Sequence, residues 1–188
     1  MARPKLRSDD EVLDAANTVL KRLGPIDFTL NDVALEVGLS RAALIQRFTN
    51  KETLIIRMME RDVAQVREHL ARLPAEAGPE GLWEFLQVLI RGMGHGYDFS
   101  VNALISWYET QLPELQALSA QRVRYVQEAI RQRLPPDAPR GAAALIHSVI
   151  IGASIQRMTA PRRKLADFVL GQVKETLKLL FPKAELGG

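Results

Sequence analysis

The sequence predicts an all-α protein in which a small N-terminal unit of three helices precedes a larger helical domain. Residues that favour turns, chiefly glycine and proline, divide the chain at intervals of about one helix length. Between these breaks, apolar residues recur at three- and four-residue spacing, and the sequence lacks the alternation typical of strands. About nine helices are expected from this pattern, and the clearest break is the stretch from Pro74 to Pro79.

The composition is that of a globular protein with a sizeable core. Of the 188 residues, 47% are hydrophobic and 25% are charged, with a formal net charge of +3. These values exclude general disorder and only weakly favour an anionic partner. The absence of cysteine excludes disulfides and thiolate metal sites, and the histidines (His69, His95 and His147) lack a metal-ligand spacing. We therefore expect neither a metal nor another cofactor.

Nothing in the sequence indicates export or membrane insertion. The basic start is followed by Ser8-Asp9-Asp10-Glu11 rather than by the apolar region of a secretory signal. The longest apolar stretch, residues 142–155, contains His147 and Ser148 and is too short to span a bilayer. A cytoplasmic protein without a membrane partner is expected.

The first two helices are predicted from their caps and apolar stripes. Helix one runs from Ser8 to Arg22, and its acidic start suits the positive end of a helix dipole. For the second helix, Thr29 is an N-cap that forms a capping box with Asp32. The stripes expected to pack together are Val12, Leu13, Ala16, Val19, Leu20 and Leu23 in the first helix and Val33, Ala34 and Val37 in the second.

A glycine turn joins the second helix to a third. Gly38 suits the left-handed conformation with which helices end, and Ser40 is the N-cap of the next helix. Leu44 and Phe48, four residues apart, mark its inner face. Helix, short glycine turn and helix form the helix-turn-helix plan, whose second helix lies in the major groove of DNA.

The outer face of the third helix predicts DNA contacts. Arg41 suits a bidentate contact with guanine, Gln46 one with adenine, and Ala42 or Ala43 contact with a thymine methyl group. Phosphate contacts fit helix N-termini and ammonium groups. The full predicted DNA-binding set is Thr29, Ser40, Arg41, Ala42, Ala43, Gln46, Arg47 and Lys51. The alternative is a solvated helix pair whose caps and charges only stabilise the fold.

The run from Thr29 to Leu54 resembles the helix-turn-helix segment of the TetR family of regulators. Its ending, Phe-x-Asn-Lys-Glu-x-Leu from Phe48, is similar to the start of the family's fourth helix. With the first helix included, the resemblance covers about a quarter of the chain. Ile45 replaces the family's usual tyrosine, Gln46 a frequent histidine and Ala42 a frequent glycine. That tyrosine commonly touches the DNA backbone, and this contact is not carried over to Ile45.

The resemblance implies a ligand-responsive transcriptional regulator with a DNA-binding domain at residues 1–52 and a regulatory and dimerisation domain at residues 53–188. The expected protein is a homodimer on double-stranded DNA with a palindromic operator, a repressor released by an unknown small-molecule effector. The basic arm of Arg3, Lys5 and Arg7 either contacts DNA or is only solvated. The long helix from Asn50 to Leu73 either transmits ligand binding or is simply structural.

Aromatic residues concentrated in the larger domain predict an effector pocket. The candidate ligand-binding residues are Trp107, Tyr108 and Gln111, with His95 and His147 as weaker candidates. The alternative for each ring is an ordinary core position.

The last two helices predict the dimer interface. The helix from Gly141 to Met158 is apolar or small nearly all round, and the final helix carries a broad apolar stripe between Leu165 and Leu180. The alternative is an intrachain core.

Two other functions stay open on the sequence. One is a helical ligand-binding or adaptor protein with a degenerate helix-turn-helix, which Ile45 alone favours. The other is an enzyme using Glu109 or His147 as acid or base, but we find no paired catalytic constellation in the sequence and therefore expect a protein that is not an enzyme.

Overall fold

The computed structural model describes residues 7–93, 110–159 and 164–184. Within these ranges the chain forms eight helices and no strand, which confirms the all-α prediction. The helices are α1 Asp9–Asp27, α2 Leu30–Val37, α3 Arg41–Phe48, α4 Lys51–Arg72, α5 Pro79–Arg91, α6 Pro113–Arg131, α7 Ala142–Thr159 and α8 Leu165–Leu180. The expected count of nine stays a prediction, because residues 94–109 lie outside the described ranges.

The chain divides into two compact units. The described residues of the first unit are 7–64 and 110–119, and those of the second are 65–93, 120–159 and 164–184. Two of the three divisions along the chain fall inside helices, one in α4 and one in α6, and the third lies outside the described ranges. The domain boundary after residue 52 stays a prediction.

The first unit is built on short helices that pack through one buried face each. Helix α2 packs against both α1 and α3. Gly24, with φ of 77°, interrupts α1 before Pro25, where the sequence indicated a break. The side chains without solvent contact include Val12, Ala16, Val19, Phe28, Val33, Leu44 and Leu54. Of these, Val12, Ala16, Val19, Val33 and Leu44 are positions that the three- and four-residue spacing predicted. Leu23, which was also predicted to lie in the first stripe, is instead 38% exposed and directly precedes the interruption of α1 at Gly24.

The second unit has its core where α8 packs against α7 and α5. Fully buried side chains from the three helices form this core, among them Leu82, Phe85, Leu86, Ile146, Val169, Val173 and Leu177. Burying large aliphatic and aromatic side chains stabilises the unit by about 1.5–3 kcal/mol for each. None of the helices in the described part of the chain is both long and apolar enough to cross a membrane.

Arg133 lies two residues after the end of α6 and joins that end to the residues that follow α4. Only 4% of it is exposed, and its guanidinium donates hydrogen bonds to the carbonyl oxygens of Ala129 (2.7 Å), Leu73 (3.3 Å) and Pro74. The same group lies 4.1 Å from the centre of the Phe85 ring. Burial lowers the pKa of Arg133. The guanidinium thereby binds carbonyl groups at the ends of α4 and α6 that helices leave without partners.

We expect Arg133→Ala to lower the free energy of unfolding by about 3 kcal/mol, because buried carbonyl oxygens lose charged donors and the Phe85 ring loses its cover. Arg133→Lys should retain part of this stability, since lysine keeps the charge but not the planar fork. Urea unfolding followed by circular dichroism measures both. An alanine variant as stable as the parent chain would contradict this role for Arg133.

Candidate nucleic-acid interface

Helix α2 begins with a complete capping box. The hydroxyl oxygen of Thr29 accepts the N–H of Asp32 at 3.3 Å. In return the Asp32 carboxylate accepts the N–H of Thr29 at 2.9 Å and its hydroxyl at 2.5 Å. These hydrogen bonds, led by that from the hydroxyl, hold the pKa of Asp32 below its ordinary value. The hydroxyl of Thr29 therefore serves as the N-cap of α2, and its predicted phosphate contact stays a prediction.

Gly38 and Ser40 set the turn between α2 and α3. Gly38 ends α2 in the left-handed conformation, with φ of 71° and ψ of 37°. Two residues later the hydroxyl of Ser40 accepts the N–H of Ala43 at 3.2 Å and starts α3. Leu44 and Phe48 are buried beneath α3, as predicted. The two helices therefore form the helix-turn-helix plan that the spacing indicated.

The outer face of α3 presents side chains to solvent. Arg41, Ala42 and Gln46 are exposed, and Ala43 is half-buried. No hydrogen bond or ion pair within the described residues engages the side chain of Arg41 or Gln46. The first turn of α3 contains no acidic residue, so its positive end is not neutralised locally. This surface suits an anionic partner that has a groove wide enough for a helix.

Ile45 lies on the same exposed face and is 38% exposed. An apolar side chain there offers no hydroxyl group to a phosphate. It can still contact sugar or base methyl groups, as other apolar side chains on DNA-binding surfaces do.

Arg47 was predicted to face DNA, but the structure gives it a role inside the protein. Its guanidinium donates to the carbonyl oxygen of Arg7 at 2.6 Å and lies 3.3 Å from the carboxylate of Asp9. Only 25% of the side chain is exposed. Arg47 thus ties α3 to the start of α1, and a DNA contact from it stays a prediction.

Lys51 is similarly engaged. Its ammonium group donates to the carbonyl oxygen of Ile26 at 3.0 Å and lies 5.2 Å from the centre of the Phe28 ring. Burial lowers the pKa of Lys51, while the carboxylates of Glu52 and Asp27 act in the opposite direction. The residue connects the start of α4 to the end of α1. Its predicted phosphate contact stays a prediction.

Little of the N-terminal arm lies within the described ranges. Arg3 and Lys5 fall outside them, and Arg7 forms an ion pair with Glu11 at 2.7 Å. Glu11 also accepts the N–H of Ser8 at 2.8 Å, completing the capping box of α1.

The predicted effector residues are only partly described. His95, Trp107 and Tyr108 lie outside the described ranges. Gln111, in the first unit, is exposed and donates to the hydroxyl of Thr110 at 2.8 Å. His147, in the second unit, is half-buried on α7, and burial together with the nearby Arg122 lowers its pKa. None of the described residues forms a cluster that could hold a metal ion.

Sequence reasoning missed an open groove in the second unit. About 780 Å³ in volume, it lies between the end of α6 and the start of α7 and is lined by Arg124, Tyr125, Glu128, Arg131 and Arg140, among others. Arginines near a helix end look like a solvated surface in sequence, so no pattern marked it. Its open shape and charged rim differ from the enclosed apolar pockets that bind drug-sized ligands.

A capped helix-turn-helix whose second helix presents an arginine without a partner among the described residues is typical of a DNA-binding transcriptional regulator. The family model for "Bacterial regulatory proteins, tetR family" matches residues 12–58. The HTH-type transcriptional regulator BetI of Agrobacterium fabrum is 30% identical over 161 residues, which cover 77% of this chain and 76% of BetI. The chain therefore belongs to the TetR family, and it is a regulator of transcription rather than an enzyme.

Solved structures share the fold across nearly the whole chain. A transcriptional regulator from Rhodococcus sp. Rha1 has a TM-score of 0.79 at 15% identity, covering 97% of this chain and 100% of its own. SmeT, the repressor of the Stenotrophomonas maltophilia multidrug efflux pump SmeDEF, has a TM-score of 0.66 at 18% identity, covering 97% and 98%. A regulator from Saccharomonospora viridis in complex with choline has a TM-score of 0.72 at 19% identity, covering 90% of this chain and 95% of its own. At these identities the likeness establishes the fold.

The capping box of α2 predicts an acid-dependent stability difference. Because the folded-state pKa of Asp32 lies below its ordinary value of 3.8, its stabilising effect is complete above that value. It is lost as the pH falls through the folded-state pKa. Asp32→Asn should therefore lower the Tm at pH 7, and the difference from the parent chain should shrink as the pH falls below the ordinary value of 3.8.

Thermal unfolding across a pH series measures this difference. Asp137→Asn is the matched control, since it removes an exposed carboxylate from the connection between α6 and α7. A Tm difference for Asp32→Asn that stays constant down to pH 2 would show that the capping box does not depend on the charge of Asp32.

Proposed function

We propose that the protein acts in the cytoplasm as a homodimeric repressor that binds a palindromic operator and leaves it when a small molecule binds the larger domain. The observation that carries this proposal is the outer face of α3, where exposed Arg41 and Gln46 have no partner among the described residues. A long cationic side chain held free beside an unneutralised helix N-terminus gains most from an anionic ligand.

The exposed side chains of α3 contact the base edges of the operator. Arg41 is in the first turn, the part of a recognition helix that reaches base edges. Gln46 lies further along the same helix, and Ala42 and Ala43 are small enough to meet a thymine methyl group. Ser40, Thr29 and Lys51 supply phosphate contacts, and Arg47 supports α3 from behind through Arg7 and Asp9.

The dimer is supported by an apolar face on α7. Leu145, Ile151 and Ile155 are 40–49% exposed and fall within about 120° on the helical wheel. On α8, Leu179 is 84% exposed. Apolar side chains gathered on neighbouring helices are typical of a surface that a second copy covers. Two copies would present two α3 helices to two half-sites about one DNA turn apart.

The effector is proposed to be a small organic molecule bound in the larger domain. The regulator from Saccharomonospora viridis was solved with choline, and the multidrug binding protein EbrR with proflavin. Both ligands are cations, which aromatic side chains bind well. Trp107, Tyr108 and Gln111, with His95 and His147, stay our candidates. Release follows if the effector prefers a conformation in which the two α3 helices no longer fit the operator.

The first experiment selects bound duplexes from a random DNA pool at several salt concentrations. An inverted repeat whose affinity falls steeply with salt is expected, because cationic side chains release counterions from phosphates. On that duplex, Arg41→Ala and Gln46→Ala should each weaken binding by roughly tenfold or more, since one bidentate base contact is worth about 1–3 kcal/mol. Both should also relax the sequence preference at one position of each half-site.

Arg57→Ala is the matched control for that experiment. Arg57 is an exposed arginine of the first unit that pairs with Glu60 at 3.1 Å on α4, and its loss should leave operator binding nearly unchanged. If no duplex is enriched at any salt concentration, the proposed function is wrong. The helical ligand-binding or adaptor protein then becomes the better interpretation.

The dimer is tested by placing a charge on the apolar face of α7. Ile155→Asp should shift the protein from dimer to monomer in sedimentation analysis, because a carboxylate would be buried without a partner at the interface. Val88→Asp, which changes an exposed apolar residue of α5 in the same way, should remain a dimer. A dimeric Ile155→Asp variant would remove α7 from the proposed interface.

A further inference from the structure

Two residues, Thr49 and the capping residue Asn50, lie between the recognition helix and α4. Helix α3 ends at Phe48, and Asn50 already caps α4, because its side-chain oxygen accepts the N–H of Thr53 at 2.8 Å and its carbonyl accepts that of Leu54 at 3.2 Å. Thr49 is the only residue between them. The chain must therefore change direction within one residue.

Thr49 does so in a strained conformation. Its φ is 62° and its ψ is −60°, and the carbonyl of Phe48 accepts the N–H of Asn50 at 2.6 Å across it. These values define a γ-turn with positive φ, which is rare and strained. Every other positive-φ residue in the described ranges is a glycine. Threonine is a poor choice on conformational grounds alone, because a branched Cβ is least tolerated at positive φ.

The two ends of the joint are fixed, which explains why the strain persists. Phe48 and Leu54 are buried on either side of the turn, and Asn50 is held by its capping hydrogen bonds. No hydrogen bond to the exposed Thr49 hydroxyl within the described residues offsets the cost. Strained residues held by well-packed surroundings cluster at functional sites.

Thr49 also continues the surface proposed to read DNA. Its N–H still donates to the carbonyl of Ile45 at 2.8 Å, so its Cα follows the path of α3. Positions 42, 45, 46 and 49 have the spacing i, i+3, i+4 and i+7 of one helix face. The orientation of this face relative to α4 is set by the two backbone angles of Thr49.

We propose that Thr49 is a positioning residue that locks the joint between α3 and α4 in the conformation that operator binding requires. This inference rests on the proposed function of α3. Glycine would adopt the same angles without strain, but its wider range of allowed backbone angles would let α3 shift within the limits that Phe48 and Asn50 set. Threonine makes the folded protein less stable and in exchange restricts the orientation of the recognition helix before DNA is met, which lowers the ordering cost of binding.

The test compares Thr49→Gly with the parent chain on the duplex that the parent chain selects and on an unselected duplex. Glycine should raise the Tm by about 2–6 °C through relief of strain. It should weaken operator binding by about four- to tenfold, because both joints of a dimer lose their restriction. Binding to the unselected duplex should not change, because phosphate contacts without base reading do not need one orientation of α3.

Thr49→Val and Thr49→Ser separate positioning from direct contact. Valine keeps the branched side chain and removes the hydroxyl, so it should bind the operator like the parent chain. Serine keeps the hydroxyl and loses the branch, so it should weaken operator binding toward the glycine value. If the valine variant does not fold, the serine variant alone still distinguishes a positioning role from a hydroxyl contact to DNA. The reverse order would make Thr49 a hydroxyl contact to DNA and overturn the proposal.

The remaining outcomes are equally decisive. Unchanged operator affinity in Thr49→Gly, with a parent chain that binds tightly, would overturn this inference and leave the proposed function intact. A Tm that falls in Thr49→Gly would show that the turn is not strained, and the inference fails on that ground alone. A parent chain that selects no duplex contradicts the proposed function itself.

Discussion

Helix ends are the constraint on which the rest of this structure depends. Each helix leaves about four N–H groups and four carbonyl oxygens without intrahelical partners, and eight described helices multiply that problem. At four of the N-termini the solution is local. Ser8, Thr29, Ser40 and Asn50 each accept a backbone N–H three residues later. These caps fix where helices begin, and so fix which residues of α3 face outward.

At the carbonyl ends of α1, α4 and α6 the solution is tertiary and uses cations. Lys51 donates to Ile26 near the end of α1, and Arg133 donates to residues at the ends of α4 and α6. Arg47 is held in a similar way by the carbonyl oxygen of Arg7, just before α1. A basic side chain bound in this way can contact a phosphate only while it shares its hydrogen bonds with the protein. The formal net charge of +3 therefore says little about DNA affinity. What matters is which cations remain unpaired, and on α3 that residue is Arg41.

This distinction explains what the sequence could predict. The all-α class, the capping box of Thr29 and Asp32, the left-handed Gly38 and the buried Leu44 and Phe48 depend on neighbours a few residues away, and sequence patterns carry that information. The partners of Arg47, Lys51 and Arg133 lie 40, 25 and about 60 residues distant along the chain. No local pattern predicts these partners, so the sequence indicates only DNA contacts for Arg47 and Lys51 and no role for Arg133. The strain at Thr49 was invisible for the same reason, since it follows from the anchoring of Phe48 and Asn50 by the fold. The assignment of Gln111 and His147 to an effector stays a prediction.

Six of the eight described helices carry an acidic residue in the first turn, where it stabilises the helix, but α3 and α7 carry none. Helix α7 has 18 residues and packs against α8, whereas α3 has eight residues with an exposed outer face and would benefit most from such a residue. Its unneutralised terminus, its unpaired Arg41 and the strained turn that ends it all cost stability in the free protein. These costs coincide on one eight-residue helix. One ligand would offset all of them: a polyanion that binds the N-terminus of α3, pairs with Arg41 and binds more tightly when the helix orientation is fixed. That coincidence, rather than total charge or motif likeness alone, is the physical argument for the proposal that α3 binds DNA.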